Sequence, residues 1–204
     1  MNIAILGGSF DPPHLGHILI AQQVKELLNM DQIWLMPLYQ KEQQDKIFHK
    51  TLSPVADRLL MAKYLENDFI KISKYEIEHN QTSYTVDTLE QLETLSSNDE
   101  FYWITGSDQL AEFQKYYKWE ELVHKHKLII FPREHMLWHL EDKVKEGFNL
   151  QIIPKNVIVL DNKDLVLTNI SSRIVRERVK KGLSITHLVP KAVEEYIKGQ
   201  KLYQ

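Results

Sequence analysis

Gly8-Ser9-Phe10-Asp11-Pro12-Pro13-His14-Leu15-Gly16-His17 follows Gly7 and the apolar run Ile3-Ala4-Ile5-Leu6, and this junction decides the fold. A continuous apolar run of that length reads as a strand buried on both faces. Gly7-Gly8 permits a tight turn and lets main-chain N–H groups come close to a ligand. From Leu15 to Leu28, apolar residues recur at three- and four-residue intervals (Leu15, Ile18, Leu19, Val24, Leu27, Leu28), which predicts a helix. That helix points its positive end at the glycines, where phosphate is the natural occupant. The spacing fits neither G-x-G-x-x-G nor G-K-[ST]. It carries instead His14 and His17, three apart and on one helical face. An imidazole pair at a phosphate site can donate to charge developing on a transferring phosphate. Taken singly, His14 could equally cap the helix and His17 fill the core.

Outward from this junction the alternation continues. Short apolar runs at Ile33–Met36, Phe69–Ile72, Phe101–Ile104, Leu128–Phe131 and Val157–Leu160 are separated by longer amphipathic segments. Ser53-Pro54 predicts an N-cap and first helical residue for a helix reaching about Asn67. Ser83 is placed to cap Tyr84–Leu95, Leu110–Val123 follows the fourth strand, and Pro190 opens a last helix that Gly199 could close. Strand and helix alternating in this way predict an α/β fold, a doubly wound, Rossmann-like parallel sheet flanked by helices. The polar stretch Tyr39–Thr51 reads as a loop.

Composition narrows the function classes. The chain has 204 residues, 43% of them hydrophobic, enough for one domain over 1–204 with a sizeable core. A net charge of -3 gives no basic surface for nucleic acid. Without cysteine, disulfides, thiolate metal sites and cysteine nucleophiles are excluded. No leader is visible before the glycines, and no apolar stretch approaches the ~20 residues that span a bilayer. The expectation is a cytoplasmic protein without a membrane partner. His135 and His139 stand four apart with His124 and His126 near them, but no H-E-x-x-H and no third ligand accompany them, so no zinc site is expected.

A second anion site is suggested by Asn169-Ile170-Ser171-Ser172-Arg173-Ile174-Val175-Arg176. Two serines at a helix start set hydroxyls beside unsatisfied N–H groups, and Arg176 follows about one turn later. That suits the outer phosphates of ATP, where guanidinium binds in bidentate fashion. By itself it is equally a cap with a solvated face. Asp108, after the fourth strand in Gly106-Ser107-Asp108, lies where open α/β sheets bind ligands and could accept from ribose hydroxyls.

The His14-Leu15-Gly16-His17 stretch resembles the H-x-G-H signature of the nucleotidyltransferase superfamily. Ser171 to Arg176 is similar to its I-S-S-T-x-x-R motif, with Arg173 in the threonine position. Within that superfamily the chain most resembles bacterial nicotinate-nucleotide adenylyltransferases over nearly its whole length, through Ser83-Tyr84-Thr85-Val86-Asp87-Thr88-Leu89, Gly106-Ser107-Asp108 and the stretch Leu188-Val189-Pro190 to Tyr196-Ile197. The resemblance implies transfer of the adenylyl group of ATP to nicotinate mononucleotide, giving deamido-NAD and pyrophosphate in NAD biosynthesis. It implies catalysis by His14, His17 and Arg176, with ATP held by Gly7, Gly8, Ser9, Phe10, His14, Gly16, His17, Gly106, Asp108, Ser171, Ser172 and Arg176. Helices from about residue 170 would complete that site. Lys50, Ser83, Tyr84, Thr85, Tyr116 and Arg133 would hold the acceptor, with Lys46 second to Lys50 for its phosphate. Tyr116 stands where the family has tryptophan, and Glu134-His135 where it has Pro-Gly. Mg²⁺ is expected on the ATP phosphates and not on protein ligands. A homo-oligomer is compatible with the sequence.

Overall fold

The computed structural model describes residues 1–39, 52–79, 84–133 and 139–204. Its strands are β1 (Asn2–Gly8), β2 (Gln32–Pro37), β3 (Ile70–Ile72), β4 (Glu100–Gly106), β5 (Lys127–Phe131) and β6 (Val157–Val159). Its α-helices are α1 (Leu15–Leu28), α2 (Val55–Lys63), α3 (Tyr75–Glu78), α4 (Thr85–Leu95), α5 (Trp119–Lys125), α6 (Leu140–Gly147), α7 (Ser172–Lys180) and α8 (Lys191–Gly199). A 3-10 helix, Ser107–Lys115, leaves the end of β4.

The strands form one sheet in the order β3-β2-β1-β4-β5-β6. β1 pairs with β4, β4 with β5, and β5 with β6, all parallel, with Ile3 opposite Phe101 and Ile104 opposite Ile129. This is the α/β, Rossmann-like arrangement that the alternation of runs predicts. Leu128, Ile129 and Ile130 are fully buried, as a strand covered on both faces requires.

The chain divides into two compact units interleaved in sequence. One comprises Met1–Leu6, Gln23–Ile33 and Ser83–Asn169. Its core gathers Ile3 and Ile5 of β1, Phe101 and Ile104 of β4, Val86 and Leu89 of α4, and Leu122 and Val123 of α5. Phe113 and Phe148 pack ring to ring there, 4.5 Å between centroids. The other comprises Gly7–Gln22, Trp34–Thr82 and Ile170–Gln204. Its core gathers Leu35 and Met36 of β2, Met61 and Ala62 of α2, Val175 of α7, and Val193 and Ile197 of α8.

Several local expectations are corrected. Gly7 and Gly8 extend β1 and do not turn; the left-handed residue is Phe10, with φ 48°. Pro54 is the N-cap of α2, not its first helical residue, and no side chain caps that helix. Tyr84 is the N-cap of α4, which starts at Thr85, again without a side-chain cap. Leu110–Val123 is not one helix: the 3-10 segment ends at Lys115, and Lys118 in the left-handed region (φ 49°) precedes α5. Trp119 is half-buried at the start of α5.

Candidate active site

In the unit holding Gly7–Gln22, the chain leaves β1 through Ser9 and the buried ring of Phe10, passes a cis Asp11–Pro12 bond, and enters α1 after His14. His14 is buried just ahead of the helix and His17 is half-buried in its first turn. Their rings stack at 3.7 Å between centroids, and Phe10 lies 4.8 Å from His17. The main-chain N–H of His14 donates to Nδ1 of His17 at 3.1 Å. An accepting Nδ1 puts the ring hydrogen of His17 on Nε2, which makes Nε2 a donor. Gly16 is required by this stack: a Cβ there would meet Nδ1 of His14 at 2.9 Å and the carbonyl of Ile170 at 3.3 Å.

The start of α1 offers fewer amides than the helix-end argument supposes. The N–H of His14 is committed to His17, that of Leu15 to the Leu188 carbonyl (2.9 Å), and that of His17 to the His14 carbonyl (3.0 Å). These amides are therefore already committed within the protein, contrary to the expectation that the helix start presents them to a ligand.

The second motif meets the first. Ser171 caps α7, its Oγ accepting from the Ile174 N–H at 3.3 Å. Ser172 Oγ donates to the carbonyl of Pro12 at 2.8 Å. Arg176 donates from a terminal guanidinium nitrogen to the carbonyl of Asp11 at 2.5 Å, and that nitrogen is 3.9 Å from Oδ2 of Asp11. Arg173 points outward, mostly exposed.

Three residues that sequence reasoning passed over hold this loop in place. Arg58 of α2 is 1% exposed, and its guanidinium donates to the carbonyls of Ser53 (3.1 Å), Ser9 (2.8 Å) and Leu38 (2.9 Å). Burial lowers its pKa, while Asp11 counters that shift. Asp11 is buried, with Oδ1 accepting from the phenol of Tyr203 at 2.7 Å and Oδ2 from the Ser53 N–H at 3.4 Å. Asp11 stood inside the quoted motif and could have been singled out; Arg58 reads as one more charge on an amphipathic helix, and Tyr203 carries no local signal.

In the other unit, Gly106 closes β4 and passes directly to Ser107 and Asp108. A Cβ on Gly106 would overlap Oδ1 of Asp108 at 2.3 Å, so only glycine lets the exposed carboxylate fold back there. Ser107 is buried, its Oγ accepting from the Arg133 N–H at 2.8 Å, which ties Arg133 to the end of β4. Tyr116 stacks on Phe113 (4.8 Å, 19°) and donates to Oε1 of Gln109 at 3.1 Å. Burial, and then the charge of Asp108, push its phenol pKa up. Tyr84 is half exposed beside the ring of Tyr117, 4.4 Å away, and Thr85 begins α4.

The sequence model of the cytidylyltransferase-like family matches residues 5–178. A probable nicotinate-nucleotide adenylyltransferase of Dehalococcoides mccartyi is 34% identical over 100% of this chain and 97% of its own length. One of the same name from a Synechococcus species is 35% identical over 99% and 96%. The chain belongs to the nicotinate-nucleotide adenylyltransferase family. A solved Plasmodium falciparum nicotinic acid mononucleotide adenylyltransferase complexed with NaAD shares the fold, with a TM-score of 0.76 at 22% identity, over 99% of this chain and 97% of that one.

Set against the pattern of this adenylyltransferase family, Gly7 to His17, Ser171, Ser172 and Arg176 are brought together within one compact unit. Gly106, Asp108, Tyr84, Thr85, Tyr116 and Arg133 belong to the other unit. Lys50, its alternative Lys46, Ser83 and the Glu134-His135 pair lie outside the described residues. Among the described residues no group of three or more His, Asp or Glu could hold a metal ion, and no helix is long and apolar enough to cross a membrane.

Proposed function

We propose that this chain transfers the adenylyl group of ATP to nicotinate mononucleotide, forming deamido-NAD and releasing pyrophosphate. One observation carries the reading. Ser172 and Arg176 bond to the main chain of Pro12 and Asp11, so two motifs more than a hundred residues apart in sequence share one anion-binding loop with His14 and His17. Family membership supplies the acceptor class.

The acceptor phosphate is already an anion and needs no general base. Attack on the α-phosphorus proceeds in line, so catalysis rests on positioning and on stabilising charge on the transferring group. His17, with its ring hydrogen on Nε2, donates to that charge, and buried His14 stacks beneath it and sets its orientation. Arg176, tethered by one nitrogen to Asp11, presents its remaining N–H groups to the outer phosphates and the departing pyrophosphate. Gly7, Gly8, Ser9 and Phe10 shape the loop, and Ser171 and Ser172 fix the start of α7. ATP enters with Mg²⁺ on its phosphates, so the ion belongs to the substrate.

In this reading Gly106 and Asp108 serve the nucleotide. Thr85, Tyr84, Tyr116, Arg133, Ser83 and Lys50 serve the acceptor, with Tyr116 stacking on the pyridine ring. The chain is taken as one nucleotidyltransferase domain completed by the helices after residue 170, a view supported by the likeness to a relative over 100% of this chain. A cytoplasmic location is part of the same proposal.

Pyrophosphate release from MgATP, measured with nicotinate mononucleotide, nicotinamide mononucleotide and phosphopantetheine in turn, tests the proposal. Preference for the nicotinate compound is expected. Turnover only with phosphopantetheine, or none with any acceptor, would overturn it.

A further inference from the structure

The carboxylate of Asp11 and the guanidinium of Arg176 are neighbours that have not closed into a full ion pair. The nearest nitrogen is 3.9 Å from Oδ2, too long for a hydrogen bond, and donates to the Asp11 main-chain oxygen instead. Both side chains are largely out of water, at 2% and 20% exposure, where a closed carboxylate–arginine pair would be strong. Something must hold the carboxylate back. Oδ1 is taken by the phenol of Tyr203 at 2.7 Å and Oδ2 receives the Ser53 N–H at 3.4 Å.

The delivery of that phenol is over-determined. Tyr203 sits in the left-handed region (φ 64°), a conformation that a tyrosine keeps only where its surroundings enforce it. The turn before it is tied by Leu202 N–H to Ile197 (3.0 Å) and Lys201 N–H to Lys198 (3.3 Å). The helix behind it, α8, is fastened to α2 by Tyr196 donating to Asp57 at 2.7 Å. The next residue of α2 is Arg58, which holds the carbonyls of Ser9, Leu38 and Ser53. Burial and the adjacent Asp11 charge keep the Tyr203 phenol protonated well above its ordinary range, so it stays a donor at any working pH.

We propose that Tyr203 is a positioning residue for the phosphate clamp: by engaging Asp11 it stops that carboxylate from closing onto Arg176 and so keeps the guanidinium available to the triphosphate of ATP. This rests on the ATP reading of the site given above. Arg58 supports the device from beneath by fixing the loop on which Asp11 stands.

The test is steady-state kinetics and calorimetric MgATP binding on Tyr203→Phe, Arg176→Ala and the double variant Tyr203→Phe/Asp11→Asn. For Tyr203→Phe, the MgATP KM should rise about five-fold or more while the acceptor KM stays within about two-fold. Adding Asp11→Asn removes the charge that captures Arg176 and should recover most of the lost ATP affinity. A purely structural hydrogen bond would instead make the double variant worse than the single one, which overturns the inference. Unchanged ATP affinity in Tyr203→Phe overturns it too, as does a Tyr203→Phe chain that fails to fold. If Arg176→Ala itself binds MgATP as tightly as the parent, the ATP reading of the site has failed, a result distinct from the failure of Tyr203 alone.

Discussion

The His14 main-chain N–H donates to Nδ1 of His17, so one histidine of the pair fixes the tautomer of the other. With the stacked rings 3.7 Å apart, His17 has little freedom to turn its donor away. In the proposed mechanism, replacing His17 by alanine removes a donor that acts mainly in the transition state. We expect kcat to fall by about two orders of magnitude or more. Single-turnover measurements with melting curves on the same sample check it, and a kcat within a few-fold of the parent would rule out this role.

Gly16→Ala should damage activity through His14. The added methyl meets a ring nitrogen at 2.9 Å and a main-chain oxygen at 3.3 Å, and the second cannot swing aside. A stability loss of about 1–3 kcal/mol is expected from overpacking, with a larger proportional loss in kcat. Denaturant unfolding and steady-state rates on one preparation separate the two effects.

Arg176 and Arg173 share a helix but not an environment. The first is tied to Asp11; the second is 70% exposed, 4.0 Å from Glu177. Arg176→Ala should raise the MgATP KM and lower kcat strongly, whereas Arg173→Ala should change either by less than about two-fold, as expected for a solvated ion pair. Equal effects would show that Arg173 has been recruited into the clamp.

Tyr116 has its ring orientation set by Phe113 on one side and Gln109 at its hydroxyl. Tyr116→Ala should raise the nicotinate mononucleotide KM by about five-fold, a cost of about 1 kcal/mol, and scarcely alter that of ATP. Trp119→Ala provides the control: a selective acceptor effect there, absent in Tyr116→Ala, would move the stacking role to Trp119.

Alkaline stability should reflect Tyr196. Its hydrogen bond to Asp57, with burial, raises the phenol pKa from 10.0 to about 12. The unfolded chain releases this proton near pH 10 while the folded chain keeps it, so the contribution is complete below pH 10 and is lost as pH rises toward 12. Melting temperatures between pH 9 and 11.5 should fall more steeply for the parent than for Tyr196→Phe. Parallel curves would show that Tyr196 does not couple to folding.

Strands were legible where apolar runs were unbroken, because burial on both faces of a parallel sheet leaves little room for polar residues; Leu128 to Phe131 illustrates it. The α1 boundaries were legible from periodicity. Helix starts were less so. Ser53 reads as a cap, yet its N–H and carbonyl serve Asp11 and Arg58 instead, a tertiary use that no local pattern reveals. The segment after β4 misled because Leu110 to Val123 has helical composition, while Tyr116 and left-handed Lys118 interrupt the helix. His14, His17 and Arg176 could be singled out because they stand at short fixed spacings within two local stretches, Gly8 to His17 and Asn169 to Arg176. Arg58 and Tyr203 were not, since a buried arginine among apolar neighbours and a tyrosine far down the chain are recognisable only once the fold brings them to Asp11.

The bond between Asp11 and Tyr203 closes a separation of 192 residues along the chain. At a synthesis rate of about 5–20 residues per second, about 10–40 s pass between the appearance of the two partners on the ribosome. Through that interval the loop at Asp11 exists without the Tyr203 brace, and the segment from Ile170 that belongs to the same unit emerges only in the last part of it. A nascent polypeptide thus carries His14 and His17 well before Tyr203, and the bond that braces Asp11 forms only once Tyr203 has emerged.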